Sequence, residues 1–154
     1  MVYHSLFHSI MSYGIMFWGN SPNTHIIFKM QKKGTYDNSD SCRELFKELK
    51  ILTLSSQYIL SLLLLVIQNR GYFTSNSSFH NTDTRQKNDL HLPQVSLTMY
   101  QKRVLYSGII VFNALPMTIK SISSNPKQFK VTLKNYLLSH SYYSLHELFS
   151  VQNA

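Results

Sequence analysis

Apolar residues recur at three- and four-residue intervals along most of the chain, the period of a helix buried on one side. Val2, Leu6, Phe7, Ile10, Tyr13, Gly14 and Phe17 follow that spacing and predict a first helix, broken by Trp18-Gly19-Asn20-Ser21-Pro22. Proline enforces the break, because the residue before it avoids the helical region. Asn23 is placed to cap a second helix from Thr24 to about Lys33, and 34–40 reads as a loop. A short helix over 41–50 turns Leu45, Phe46 and Leu49 inward. The helix over 55–70 is apolar almost all round (Tyr58, Ile59, Leu60 and Leu62 to Ile67), which predicts the central, most buried element, with Gly71 as a left-handed terminator.

The pattern then changes. Residues 74–89 are rich in Ser, Asn and Thr and read as an exposed connector, followed by a brief extended piece, Leu90-His91-Leu92-Pro93. A helix over 97–115 is stopped by Pro116. Asn125 and Pro126 then supply the cap and first turn of the best-defined helix, with Phe129, Leu133, Tyr136 and Leu137 as its apolar stripe. A last short helix covers 144–149. The expected fold is all-α: an irregular bundle of about five to seven helices around the central apolar helix at 55–70. Three stretches are expected: helices over 1–72, a polar connector over 73–96, and a basic helical segment over 97–154.

Composition sharpens this picture. Of 154 residues only 14% are charged, yet 15 Lys and Arg face 7 Asp and Glu. Residues 101–154 hold Lys102, Arg103, Lys120, Lys127, Lys130 and Lys134 against Glu147 alone, so the basic surface is expected to be mainly C-terminal. One cysteine, Cys42, cannot form an intrachain bridge, and the first residues lack the cationic-then-apolar order of a signal peptide. An intracellular setting, cytoplasm or nucleus, is expected. The uninterrupted apolar run 62–67 is far shorter than the ~20 residues a membrane span needs.

His4 and His8 have the spacing of two helical metal ligands, but no glutamate lies between them and no third ligand is near. Cys42 beside Arg43 stands alone, without a base. Neither a phosphate-binding glycine loop nor paired carboxylates for Mg²⁺ is present; Asp37, Asp40, Asp83 and Asp89 read as loop residues, and Glu44, Glu48 and Glu147 as exposed helix positions. No catalytic residue, metal site, cofactor or small-molecule substrate is therefore expected. Two lysine faces remain, Lys29/Lys32/Lys33 and Lys127/Lys130/Lys134, with Lys102 and Arg103 behind them. Lysines at that spacing share a helix face and can neutralise phosphates, and the C-terminal set has no interspersed acid.

Several blocks in order resemble the C-terminal region of reverse transcriptases from jockey-like non-LTR retrotransposons. They begin with Leu6-Phe7-His8-Ser9-Ile10-Met11-Ser12-Tyr13-Gly14-Ile15 before Trp18-Gly19, then Ile27-Phe28-Lys29-Met30-Gln31-Lys32-Lys33. Asp40-Ser41-Cys42-Arg43-Glu44-Leu45-Phe46 and the residues up to Leu54 follow, then Thr84-Arg85 with Leu92-Pro93. Gly108 with Phe112-Asn113-Ala114-Leu115-Pro116 and Ile119-Lys120, Phe129-Lys130 with Leu133-Lys134 and Tyr136-Leu137-Leu138, and Tyr143-Ser144-Leu145 with Glu147 complete the series. The resemblance implies a thumb-like helical region of an RNA-directed DNA polymerase, gripping the RNA/DNA template–primer backbone without reading sequence. No stretch matches the palm and its catalytic aspartates, so the chain is expected to be non-catalytic alone, and the palm itself is an implied partner. At Gly34-Thr35-Tyr36-Asp37 the family's further basic turn is missing, as in a decayed copy. The alternatives are a helical protein-interaction or structural domain, and a transposon relic without function.

Overall fold

The computed structural model describes residues 7–35, 42–80, 86, 88–92 and 99–152. Among them it is all-α, with ten α-helices and no strand. Five helices have eight residues or more: α3 (Thr24–Thr35), α5 (Leu54–Gln68), α7 (Met99–Asn113), α9 (Pro126–His140) and α10 (Leu145–Gln152). The others are α1 (His8–Ser12), α2 (Ile15–Trp18), α4 (Arg43–Glu48), α6 (Asn76–His80) and α8 (Met117–Lys120). Two compact units are formed, one from Met1–Ser61 with Lys134–Ala154 and one from Leu62–Leu133. Both α5 and α9 contribute residues to each unit.

In the first unit the single helix expected up to Phe17 is two. Tyr13 is extended (ψ 115°) and Gly14 is left-handed (φ 65°), a conformation that costs glycine nothing, so α1 stops and α2 restarts with Met11 and Ile15 still buried. Gly19 closes α2 where a Cβ would lie 2.4 Å from the Tyr58 ring and 2.6 Å from the Ile15 carbonyl oxygen. The second helix runs on through Gly34 and Thr35, which were expected in a loop; residues 36–40 lie outside the described ones.

Helix α4 ends two residues earlier than its apolar pattern suggests. Lys50 is left-handed (φ 53°), its N–H donates to the Lys47 carbonyl at 3.1 Å, and the Ile51 N–H reaches back to Phe46 at 2.9 Å. These are the two bonds of a Schellman C-terminus, with lysine where glycine is usual. Its apolar contact is present too, because Cys42, Phe46 and Ile51 form one buried cluster joined by Phe7, Phe28, Leu49 and Tyr143. Thr53 caps α5: its hydroxyl oxygen accepts the Ser56 N–H at 3.2 Å and its own proton goes to the Tyr142 carbonyl. The expected burial of α5 is observed, with Tyr58, Ile59, Leu60, Leu62, Leu63, Val66 and Ile67 all inside.

In the second unit Gly108 lets α7 approach α5, since a Cβ there would come within 2.6 Å of Val66. Phe112, Leu115, Ile119, Phe129 and Leu133 fill the interior around them. Gly71 is not a left-handed terminator; α5 ends at Gln68 and runs into a 3₁₀ turn over Arg70–Tyr72. The polar connector also holds structure: Ser75 precedes α6 and pairs with Leu90 in an isolated antiparallel bridge, secured by Asn76 N–H to Asp89 and His91 N–H to Thr74. Leu90 is extended as expected, while Pro93 lies outside the described residues. Pro116 ends one helix and starts another: its carbonyl accepts the N–H groups of Ile119 and Lys120 in α8. At α9 the expected cap is found, Asn125 Oδ1 accepting the Gln128 N–H at 3.3 Å with Pro126 in the first position.

Candidate nucleic-acid interface

Helix α9 turns Phe129, Leu133 and Leu137 inward, which leaves the opposite side to water. Lys127, Lys130 and Lys134 are all exposed along one flank of that buried stripe. In an α-helix these positions fall within an arc of about 60° over ~10 Å of axis, so they form a row. No acidic residue lies on α9, and its first turn adds the positive end of the helix dipole.

Helix α3 is arranged differently. Gln31 is fully buried, and Ile26, Lys29, Met30 and Lys33 share the exposed side, within an arc of about 100°. Lys32 is not with them. It is half-buried, and its ammonium sits 5.1 Å from the Phe28 ring centre and 4.9 Å from that of Tyr143, from which it gains cation–π attraction. The structure therefore keeps Lys29 and Lys33 together and turns Lys32 toward the core. Lys102 and Arg103 belong to α7, with side chains outside the described ones.

Two charges expected at the surface have other work. Lys120 is buried; its ammonium donates to Asp89 at 2.7 Å and to the Asn113 carbonyl at 2.6 Å. It leaves the basic surface, and Asp89, in its loop, is its structural partner. Glu147 is half-buried instead of exposed: Arg43 donates to both its carboxylate oxygens, at 3.0 and 3.1 Å, and the Tyr143 N–H adds a third bond. Burial raises the Glu147 pKa, but the Arg43 and Tyr143 bonds outweigh it and hold the carboxyl below its usual range. The hydrogen bond to Glu147 in turn raises the Arg43 pKa, and its guanidinium also stacks 4.1 Å from the Tyr143 ring centre.

Two amides, one buried and one half-buried, have roles that no pattern in the sequence announces. Gln31 donates to the Leu52 carbonyl and accepts the Leu54 N–H, both at 2.8 Å. Asn113 does the same to one residue, accepting the Leu90 N–H at 2.8 Å and donating to the Leu90 carbonyl at 3.0 Å. Each amide substitutes for a backbone strand partner, across 21 to 23 residues of sequence. The signal available in advance was only an amide beside an apolar stripe.

For other chemistry, Cys42 is buried in the first unit's cluster. His8 lies against Ser12, with Oγ and Nδ1 3.4 Å apart, while His4, Asp37, Asp40 and Asp83 lie outside the described residues. Among the described residues no group of three His, Cys, Asp or Glu side chains could hold a metal ion, and no helix is long and apolar enough to cross a membrane. Comparisons with protein families, with curated proteins and with solved structures found no match.

Proposed function

We propose that this chain is a non-catalytic piece of a retrotransposon-type reverse transcriptase that holds the sugar–phosphate backbone of RNA–DNA template–primer. The observation that carries the reading is the lysine row of α9, exposed, in register and free of acids. A solvated face made only for solubility mixes signs, whereas a row of one sign suits a polyanion. The block-by-block resemblance supports the same partner. Binding of this kind follows counterion release, so affinity for an RNA–DNA duplex falls steeply with salt and ignores sequence. Gel mobility shift across a salt series tests it: replacing Lys127, Lys130 and Lys134 by Glu weakens binding equally for unrelated sequences. A change of sequence preference, or binding indifferent to salt, refutes it.

A second reading, docking on a polymerase palm, draws on Ile26 and Met30, which are exposed beside Lys29 and Lys33. It predicts association that survives high salt.

A further inference from the structure

We infer that Tyr13 and Phe17 form a stacking platform for the bases of single-stranded nucleic acid, with Lys29 and Lys33 of the same unit taking phosphates. The inference rests on the nucleic-acid reading above and names a second ligand form for it.

The two rings are 87% and 71% exposed, among the most open large apolar side chains of the described residues. They stand on ordered backbone. Tyr13 donates its N–H to Ser9 at 3.3 Å, Phe17 to Gly14 at 2.9 Å, and the Trp18 indole N–H bonds the Tyr13 carbonyl at 3.1 Å. Gly14 between them has no side chain to crowd the rings. With the backbone already fixed, only the two side-chain torsions of each ring are lost when a base covers it.

Charge selects the occupant. Residues 7–35 contain no Asp or Glu, and Lys29 and Lys33 are exposed. A second copy of this chain would bring like charge against like. An anionic lipid surface has the right sign, but α1 and α2 have five and four residues, too short to lay a continuous apolar face into an interface. Single strands offer both what the rings and the lysines need: unpaired bases with π faces, and phosphates beside them. A duplex hides its bases, so the platform separates single strands from the duplex held by the α9 row.

The test uses the full chain, an unstructured oligouridine and a blunt RNA–DNA duplex. Trp18 is the one tryptophan and bonds the platform backbone, so its fluorescence reports there. Oligouridine is expected to quench Trp18, and Tyr13→Ala/Phe17→Ala to lower oligouridine affinity about 30-fold or more while duplex affinity changes less than about two-fold. Tyr13→Phe/Phe17→Tyr keeps both rings and restores the affinity. Both positions are exposed, and unchanged far-UV circular dichroism shows that the variants fold. Equal losses for single strand and duplex overturn the inference. So does wild-type binding to duplex alone, which leaves the α9 reading standing. A platform-dependent blue shift of Trp18 on phosphatidylserine vesicles, without oligouridine quenching, assigns the rings to lipid instead. Absence of binding to either nucleic acid sinks both readings together.

Discussion

Gln31 offers the sharpest test of how the first unit is held. Its side chain is fully buried and satisfies the Leu52 carbonyl and the Leu54 N–H, in a stretch where Leu52, Thr53 and Leu54 are themselves buried. The Leu54 N–H opens α5 and has no partner within the helix, so no other backbone group replaces the amide. Gln31→Leu keeps the volume and strands both groups. An unsatisfied buried donor or acceptor costs about 1–3 kcal/mol, so the pair costs about 2–6 kcal/mol, less roughly 1 kcal/mol regained by the apolar side chain. The net loss of about 1–5 kcal/mol is a sizeable part of the ~5–15 kcal/mol that stabilises a typical domain. Urea unfolding followed by far-UV circular dichroism reads it directly. Gln31→Glu adds a control with a sign. An ionised glutamate accepts from Leu54 but cannot donate to Leu52; the protonated acid can do both. Its folded pKa is raised, so the variant is most stable below the unfolded value of about 4.3 and loses stability as pH rises through the folded value. A loss under about 0.5 kcal/mol in Gln31→Leu refutes the reasoning.

Other positions give independent checks. Lys50→Gly relieves the left-handed backbone after α4 and should raise stability by about 0.5–1 kcal/mol in urea, whereas an interior helix glycine would lower it. Glu147→Gln removes a carboxylate whose pKa is depressed in the fold; the wild-type advantage is full above pH ~4.3 and vanishes as pH falls through the folded pKa. Because both partners of the Arg43 pair are about one-third exposed, thermal unfolding at neutral pH should show a loss of about 1 kcal/mol or less. Lys120→Met leaves the Asp89 carboxylate buried without its ammonium and should cost about 3–5 kcal/mol, while Lys120→Met/Asp89→Leu recovers most of it in a double-mutant cycle.

Local chemistry was legible in the sequence where local chemistry decides. Asn125 and Pro126 announce α9 because cap and first turn lie within a few residues of the groups they serve. The run 62–67 announces a buried helix because apolar residues all round leave it no wet face. Glycines were harder. Gly14 and Gly71 look alike in sequence, yet only Gly14 is left-handed, since the choice depends on what packs on either side. Lys120 and Glu147 read as surface charges because their partners, Asp89 and Arg43, lie 31 and 104 residues away. The same distance hid Gln31 and Asn113. The spacing of Lys127, Lys130 and Lys134 was enough to place them on one exposed face, whereas Lys32 was drawn to Phe28 and Tyr143, a contact no helical wheel contains.

Helix α9 is read as contacting the nucleic-acid backbone through its lysine row. The most direct measurement of that contact is the salt dependence of RNA–DNA duplex affinity for the wild-type chain and for Lys127→Gln/Lys130→Gln/Lys134→Gln. With about 0.9 in slope for each phosphate neutralised, losing three contacts should flatten the plot of log affinity against log salt by roughly 2.7. The same substitutions should leave unfolding by urea unchanged within about 0.5 kcal/mol, as expected of exposed side chains. Equal slopes for the two chains would show that the lysine row does not touch phosphate.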